Sequence, residues 1–199
     1  MKLSIVIPTY TLDHELEDMA IECVESYKEQ ADEIIVTEDG GVWSETLRNL
    51  STTYIYNHEN KGFTANVNRG WRFATGDFVA IVSSDTWLMK GNLTDLCIKG
   101  KVTSPEIVNQ NIERLAGPFF VVPKEITAKR GYLLEQMHTY SSDSEYDHRV
   151  KDIFVRVPSV EIYHQQAQTV KKAGVEGGAQ QQKDREIYQK LIDEGKAAS

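Results

Sequence analysis

A chain of 199 residues with 40% hydrophobic content is the size of one domain with a substantial core. Its net charge of -8 argues against the broad basic face that phosphate neutralisation demands, so no nucleic-acid partner is expected. No apolar run reaches the length of a membrane span, no stretch has the layout of a signal peptide, and the two cysteines, Cys23 and Cys97, read as reduced thiols on amphipathic helices; the expectation is a cytoplasmic protein.

Leu3–Ile7 is an apolar run of strand type, ended by Pro8-Thr9-Tyr10. Asp13 is placed to cap a helix whose positions Leu16, Met19, Ala20, Cys23, Val24 and Tyr27 follow the 3.6-residue repeat. Glu33–Thr37 reads as the second strand, closed by Glu38-Asp39-Gly40-Gly41; Trp43–Leu50 as a short helix; Thr53–Tyr56 as a third strand. Phe63, Val67, Trp71 and Ala74 then give one apolar helical face, and Gly76-Asp77 breaks that helix. Phe78–Val82 is wholly apolar, as in a strand covered on both faces, and runs into Ser83-Ser84-Asp85. This alternation predicts a parallel sheet with right-handed crossovers, and ligands at the C-terminal ends of its strands.

Further on, Asn92–Ile98 suggests a helix, and Lys101–Val108 a short strand that turns at Pro105. Leu115–Pro123 contains a strand, Lys124–Arg130 is a helix, and Ile153–Val157 and Val160–Tyr163 are two closing strands split by Pro158. Lys171–Gln182, rich in Lys, Gly and Gln, reads as a mobile lid or linker. Asp184–Glu194 can form a helix with Ile187, Tyr188, Leu191 and Ile192 on one face, free to dock on the body, to pair in a homodimer, or to hang in solvent.

The stretch from Asn60 to Thr86 carries a resemblance. Asn60, Gly62, Phe63, Asn68, Gly70, Ala74, Gly76, Asp77 and Asp85 stand in register with the core pattern of the family 2 glycosyltransferases, which have the GT-A fold. Leu3–Tyr10 (L-S-I-V-I-P-T-Y) is similar to the family's opening strand, and T-E-D-G-G to its V-D-D-G-S turn. Leu115–Pro123 resembles a later strand, Ser142–Arg149 the E-D-x-D motif and the arginine that follows it, and His164 the histidine of V-x-[IVL]-x-H. The resemblance runs from Leu3 to His164. It implies a single Rossmann-like nucleotide-diphospho-sugar transferase domain over residues 1–169, with a mostly parallel central sheet flanked by helices. Residues 1–86 would be its nucleotide-binding half and 87–169 its acceptor and catalytic half, leaving 170–199 as a mobile segment plus a C-terminal helix.

The same resemblance implies metal-dependent, inverting transfer of a sugar to a hydroxyl-bearing acceptor such as a glycan. Pro8, Thr9, Tyr10, Asp39, Asn60, Gly62, Asn68, Ser84 and Asp85 would bind the nucleotide sugar. A carboxylate at Asp39 can accept the imide N–H of uracil or thymine, which favours a UDP- or dTDP-sugar. Asp85 and His164 would hold Mn²⁺ or Mg²⁺, and Asp143 would be the general base, with Glu145 as the fallback. Each residue also has a plainer reading. Asp39-Gly40 is a common turn, Ser-Asp-Ser-Glu a common helix start, and a lone histidine at a strand end a common surface residue. The family has acids where Ser83 and Ser84 stand, which leaves open a GT-A-like domain kept for binding or assembly. A nucleotidyltransferase is disfavoured, because P-T-Y-T-L-D replaces the Gly-rich, Arg-containing loop such enzymes need after the first strand.

Overall fold

The computed structural model describes residues 1–166, 168–174 and 178–195. The chain begins with β1 (Leu3–Thr9), α1 (His14–Tyr27), β2 (Glu33–Asp39), α2 (Glu45–Leu50), β3 (Thr53–Asn57), α3 (Phe63–Phe73) and β4 (Phe78–Val82). It continues with β5 (Thr86–Lys90), β6 (Val102–Ile107), β7 (Phe119–Pro123), α4 (Lys124–Arg130), α5 (Ser142–Val150) and β8 (Phe154–His164), and then α6 (Gln168–Lys172) and α7 (Ala179–Asp193). Among the described residues the strands form one eight-stranded sheet in the order β3-β2-β1-β4-β7-β6-β8-β5. The first four strands in that order are mutually parallel, as is the pair β6–β8. The antiparallel pairings, β4–β7, β6–β7 and β5–β8, all involve the second half of the chain. The expected α/β domain with a mostly parallel sheet between helices is therefore what the chain adopts.

Both faces of the sheet are covered, which is why β1 and β4 are apolar without interruption. Leu3, Ile5 and Ile7 join one core cluster with Ala20, Cys23, Val24 and Tyr27 of α1. Val6 points into the other, with Val67 and Trp71 of α3 and Tyr146 of α5. Asp13 caps α1, its Oδ1 accepting the Leu16 N–H at 3.0 Å, and each of the six apolar positions read from the repeat is buried.

Three expectations for the second half need correction. Thr86–Lys90 is a strand where no element was foreseen; a five-residue strand with exposed Lys90 at its end carries little periodic signal. Pro105 does not end β6, and Pro158 does not split β8. The two strands pair in parallel on either side, and the register shifts between Pro105 and Glu106, so residues 158–160 have no partner on β6. Proline supplies no N–H to the ladder, and the irregularity falls where that donor is missing. Asn92–Ile98 forms only a 3-10 turn, Leu93–Leu96, so Cys97 caps a turn rather than lying on an amphipathic helix. Both cysteines are free thiols. Burial pushes Cys23 up to about 12 and Cys97 up to about 11, so both are protonated at neutral pH.

The C-terminal helix docks on the body, where α7 packs on α5. Lys172 of α6 pairs with Asp13 and Glu15 at the start of α1. Part of the expected lid, residues 175–177, lies outside the described residues, as do 167 and 196–199. No helix among the described residues is long and apolar enough to cross a membrane.

Helix α3 lies directly on the sheet because of Gly70. A Cβ there would come within 2.5 Å of Val6 Cγ1 and 2.9 Å of Thr37 Cγ2, both on buried residues. Gly70→Ala gains roughly 1 kcal/mol of helix propensity. It also overpacks a helix–sheet contact, at roughly 1–3 kcal/mol. The expected result is net destabilisation, read as a lower urea midpoint with an unchanged denaturant slope.

Candidate active site

In the sheet, β2 and β3 lie on one side of β1 and β4 lies on the other. Where strand order reverses in this way, the loops leaving the C-terminal strand ends part and open a crevice. A cavity of about 610 Å³ lies there. Pro8, Thr9 and Tyr10 reach it from β1, Asp39 from β2, and Ser83, Ser84 and Asp85 from β4. The facing wall carries Gly117 and Pro118 ahead of β7, the loop from His138 to Ser141, Ser142 and Asp143 at the start of α5, and His164 from the end of β8; Ala173 and Gln180 come from the C-terminal segment.

The two acids at the end of β2 fix the near side. Glu38 is fully buried. Its Oε1 accepts the N–H of Thr11 at 3.0 Å and of Gly41 at 2.9 Å, and its Oε2 faces the hydroxyls of Thr9 at 2.7 Å and Thr11 at 2.8 Å. A Cβ at Gly41 would collide with Glu38 Oε1 and the Thr11 carbonyl, so this carboxylate is closed over by glycine. Asp39, next along the strand, turns the other way. Its Oδ1 accepts Asn57 Nδ2 at 3.1 Å and the Lys61 N–H at 2.9 Å, and its Oδ2 accepts the Gly62 N–H at 2.9 Å. One acceptor position on Oδ2 remains for a ligand N–H. Burial pushes both carboxyls above their ordinary range, against the pull of these hydrogen bonds.

Asn60 and Gly62 also line the cavity, and Asn60 Oδ1 accepts the Gly62 N–H at 3.0 Å. Gly62 has φ 92, and a Cβ there would lie 2.6 Å from the His138 ring, so the imidazole packs flat against a position open only to glycine. His138 and Glu38 were missed in the sequence. Glu38 had a signal, two adjacent acids at the end of an apolar strand, of which alternation turns one inward. His138 had none, since it stands 76 residues from Gly62. Asn68 does not line the cavity. Its amide bonds the Leu133 carbonyl at 2.8 Å, Glu135 at 2.9 Å and the Leu133 N–H at 3.1 Å, tying α3 to the segment before the wall loop. The α3 asparagine at the cavity is Asn66, whose Nδ2 bonds the carbonyls of Thr37 at 2.7 Å and Thr9 at 3.2 Å.

On the far side, antiparallel pairing of β5 with β8 places Thr86 opposite His164. His164 Nε2 thereby comes to 3.3 Å from Asp85 Oδ1. The Gln110 amide lies 2.7 Å from His164 Nδ1, so the way that amide is turned sets the imidazole tautomer and decides whether Nε2 carries a proton or a lone pair. Beneath the turn, Tyr27 donates to Thr86 Oγ1 at 3.1 Å and Thr86 donates to the Ser83 carbonyl at 2.8 Å. One carboxylate oxygen and one imidazole nitrogen are a suitable donor pair for Mn²⁺. Among the described residues no cluster of three or more His, Cys, Asp or Glu forms, so a cation here would take its other ligands from bound substrate and water.

Asp143 lines the wall, its Oδ2 accepting the Gly117 N–H at 3.2 Å with Arg114 at 3.7 Å. Ser141, which caps α5 just ahead of it, is left-handed at φ 64, a conformation that costs a non-glycine residue about 1–2 kcal/mol. Glu145 is fully buried and away from the cavity, held by Arg149 through Nε–Oε1 and Nη2–Oε2 contacts of 2.7 Å each. Three aspartates and two histidines thus face the cavity, and among the described residues no lysine or arginine lines it.

A crevice at the switch point of an α/β sheet, here ringed by carboxylates and histidine, is where such folds bind their ligands. The chain belongs to glycosyl transferase family 2, whose model matches residues 4–149. Among solved structures it is similar to S. aureus TarS 1–349 in complex with UDP, at 17% identity and a TM-score of 0.65, over 82% of this chain and 60% of that one. It is likewise similar to the mannosyltransferase PcManGT from Pyrobaculum calidifontis in complex with GDP-Man and Mn²⁺, at 16% identity and a TM-score of 0.67, over 84% of this chain and 57% of that one. The fold is the GT-A fold of these transferases, and the chain spans about three-fifths of their length. No curated protein sequence matches it.

Glu38 supplies a pH test. Its pKa is raised in the folded state, so the stability it contributes is fully present below the ordinary glutamate value of about 4.3 and is lost as pH rises through the folded value. Glu38→Gln does not titrate, yet keeps an oxygen for the two N–H groups and an amide for the two hydroxyls. Chemical denaturation of both proteins from pH 4 upward should show the wild type losing stability relative to Glu38→Gln. Parallel curves would mean that the folded and unfolded pKa values are equal.

Proposed function

We propose that the protein transfers a sugar from a nucleoside-diphosphate donor to an acceptor hydroxyl, with inversion, in the cavity between β1 and β4. One observation carries the reading. The cavity gathers Asp39, Asp85, Asp143 and His164 around one space, and no lysine or arginine lines it among the described residues. A diphosphate entering such a space needs a cation to offset its charge and theirs. Asp85 and His164 are the residues to hold Mn²⁺ or Mg²⁺, which when bound would neutralise charge on the departing diphosphate. The Mn²⁺ present with GDP-Man in the mannosyltransferase supports this assignment.

The remaining roles fall to the chain's own groups. The open Oδ2 position of Asp39 suits the imide N–H of uracil or thymine, and UDP in TarS supports a uridine donor. The backbone and side chains of Pro8-Thr9-Tyr10 and Ser84, with Asn60 and Gly62, border the donor. Asp143, on the opposite wall, takes the proton from the acceptor hydroxyl as that oxygen attacks the anomeric carbon. Gly117 and Arg114 orient its carboxylate for that transfer. A glycan hydroxyl is the acceptor class of this reading. Ser83 and Ser84, with their weak ligand groups at the turn, favour one alternative, a domain that binds donor without turnover.

Thermal melting with UDP, dTDP, GDP and their sugars, with and without Mn²⁺, tests the donor site. A metal-dependent rise with one nucleotide is expected, and it should shrink in His164→Ala. No rise with any nucleotide would remove the donor reading. Asp143→Asn should keep the melting shift and slow release of nucleoside diphosphate by about 100-fold or more. Unchanged release would move the base elsewhere, and binding without turnover in the wild type would favour the alternative.

A further inference from the structure

The wall loop from His138 to Ser141 is held by the C-terminal helix. The Asp184 carboxylate of α7 accepts three consecutive backbone N–H groups, those of His138 at 3.0 Å, Thr139 at 2.9 Å and Tyr140 at 2.8 Å. A carboxylate forms stronger hydrogen bonds with backbone donors than a neutral acceptor does. Gln180, one turn earlier, donates Nε2–H to the same carboxylate at 2.7 Å. Asp184 is the one fully buried residue of α7 among those described, so the helix gives its deepest position to an acid rather than an apolar anchor. Burial pushes this carboxyl up, but the N–H groups, Tyr140 first, outweigh it and hold it below the ordinary carboxylate range.

The grip extends to the floor of the cavity. The His138 peptide is held on both sides, its N–H by Asp184 and its carbonyl by the Thr64 N–H at 3.2 Å. The His138 ring lies against Gly62, whose own N–H is bound by Asp39. In the other direction the loop runs through the left-handed Ser141 to Asp143. Gln180 itself lines the cavity.

We propose that Asp184 is a positioning residue of this site, acting from α7 to set the path of residues 138–141 and with it the placement of the His138 ring and of Asp143. The proposal rests on the reading of the cavity as a nucleotide-sugar site. It makes the C-terminal helix part of the site rather than an appendage to it.

Four proteins test it: wild type, Asp184→Asn, Asp184→Glu, and Asp193→Asn as a control that removes an exposed acid from the same helix. Each is examined by amide hydrogen exchange over 138–141, by calorimetric binding of UDP, dTDP and GDP with Mn²⁺, and by kcat and KM for release of nucleoside diphosphate. Asp184→Asn should speed exchange at 138–140 and weaken nucleotide binding, each by roughly tenfold or more. The control should match wild type, and Asp184→Glu should fall between. If Asp184→Asn does not fold, Asp184→Glu carries the same comparison. Faster exchange with unchanged binding and unchanged kcat and KM would reduce Asp184 to a tether and overturn the proposal, as would unchanged exchange. A wild type that binds none of the nucleotides overturns the donor-site reading and this inference together; normal binding with unchanged kcat and KM in both wild type and Asp184→Asn overturns the inference alone.

Discussion

β1 and β4 run side by side and parallel from Leu3 opposite Phe78 to Val6 opposite Ile81, yet the chain reaches them from different sides of the sheet. The helix that follows β1 packs on one face, and the helix that precedes β4 packs on the other. Their loops cannot meet above the strand ends, and the gap between them is the cavity. Every candidate group is placed relative to that gap. Asp39 stands one strand away, Asp85 on the turn after β4, and His164 arrives because β5 folds back against β8. The two acids of β2 then stiffen the near rim. Glu38 ties the loop after β1 to Gly41, and Asp39 ties β2 to the turn at residues 61–62.

The charge in the molecule is distributed unevenly. Away from the cavity, the buried acid Glu145 has Arg149 as a paired cation, and Glu33 is bonded by Ser4 and Thr75 with Lys2 nearby. At the cavity, Asp39 is satisfied by neutral N–H donors, and Asp85 faces the His164 imidazole. Glu145 and Glu33 thus meet a cationic side chain within the fold, whereas among the described residues Asp39 and Asp85 have no lysine or arginine side chain paired with them.

The first half of the chain was legible in its sequence because α1 and α3 are periodic and its elements are punctuated. Asp13 caps, Gly76-Asp77 stops, and the strands covered on both faces are uniformly apolar. The second half resisted for physical reasons. β5 follows β4 after only three residues and ends on the exposed Met89 and Lys90, and the ladder absorbs Pro105 and Pro158 as a register shift that local rules read as breaks. The site was legible where a residue's neighbours in sequence are also its neighbours in space, as at Pro8–Tyr10 and Ser83–Asp85. It was opaque where distant segments meet. Nothing near His138 foretells Gly62, and nothing in the polar run of α7 foretells the wall loop. Asn66 and Asn68 are two residues apart on one helix and differ in destination, one to the cavity and one to residues 133–135, which spacing alone does not decide.

The bonds from Asp184 to residues 138–140 also bear on the order in which the molecule is made. Val82, the end of β4, leaves the ribosome about a hundred residues ahead of the acid that grips the facing wall of the cavity. At a synthesis rate of roughly 5–20 residues per second, that interval is roughly 5–20 s. Throughout it the N–H groups of residues 138–140, once synthesised, lack the carboxylate that they meet in the folded protein.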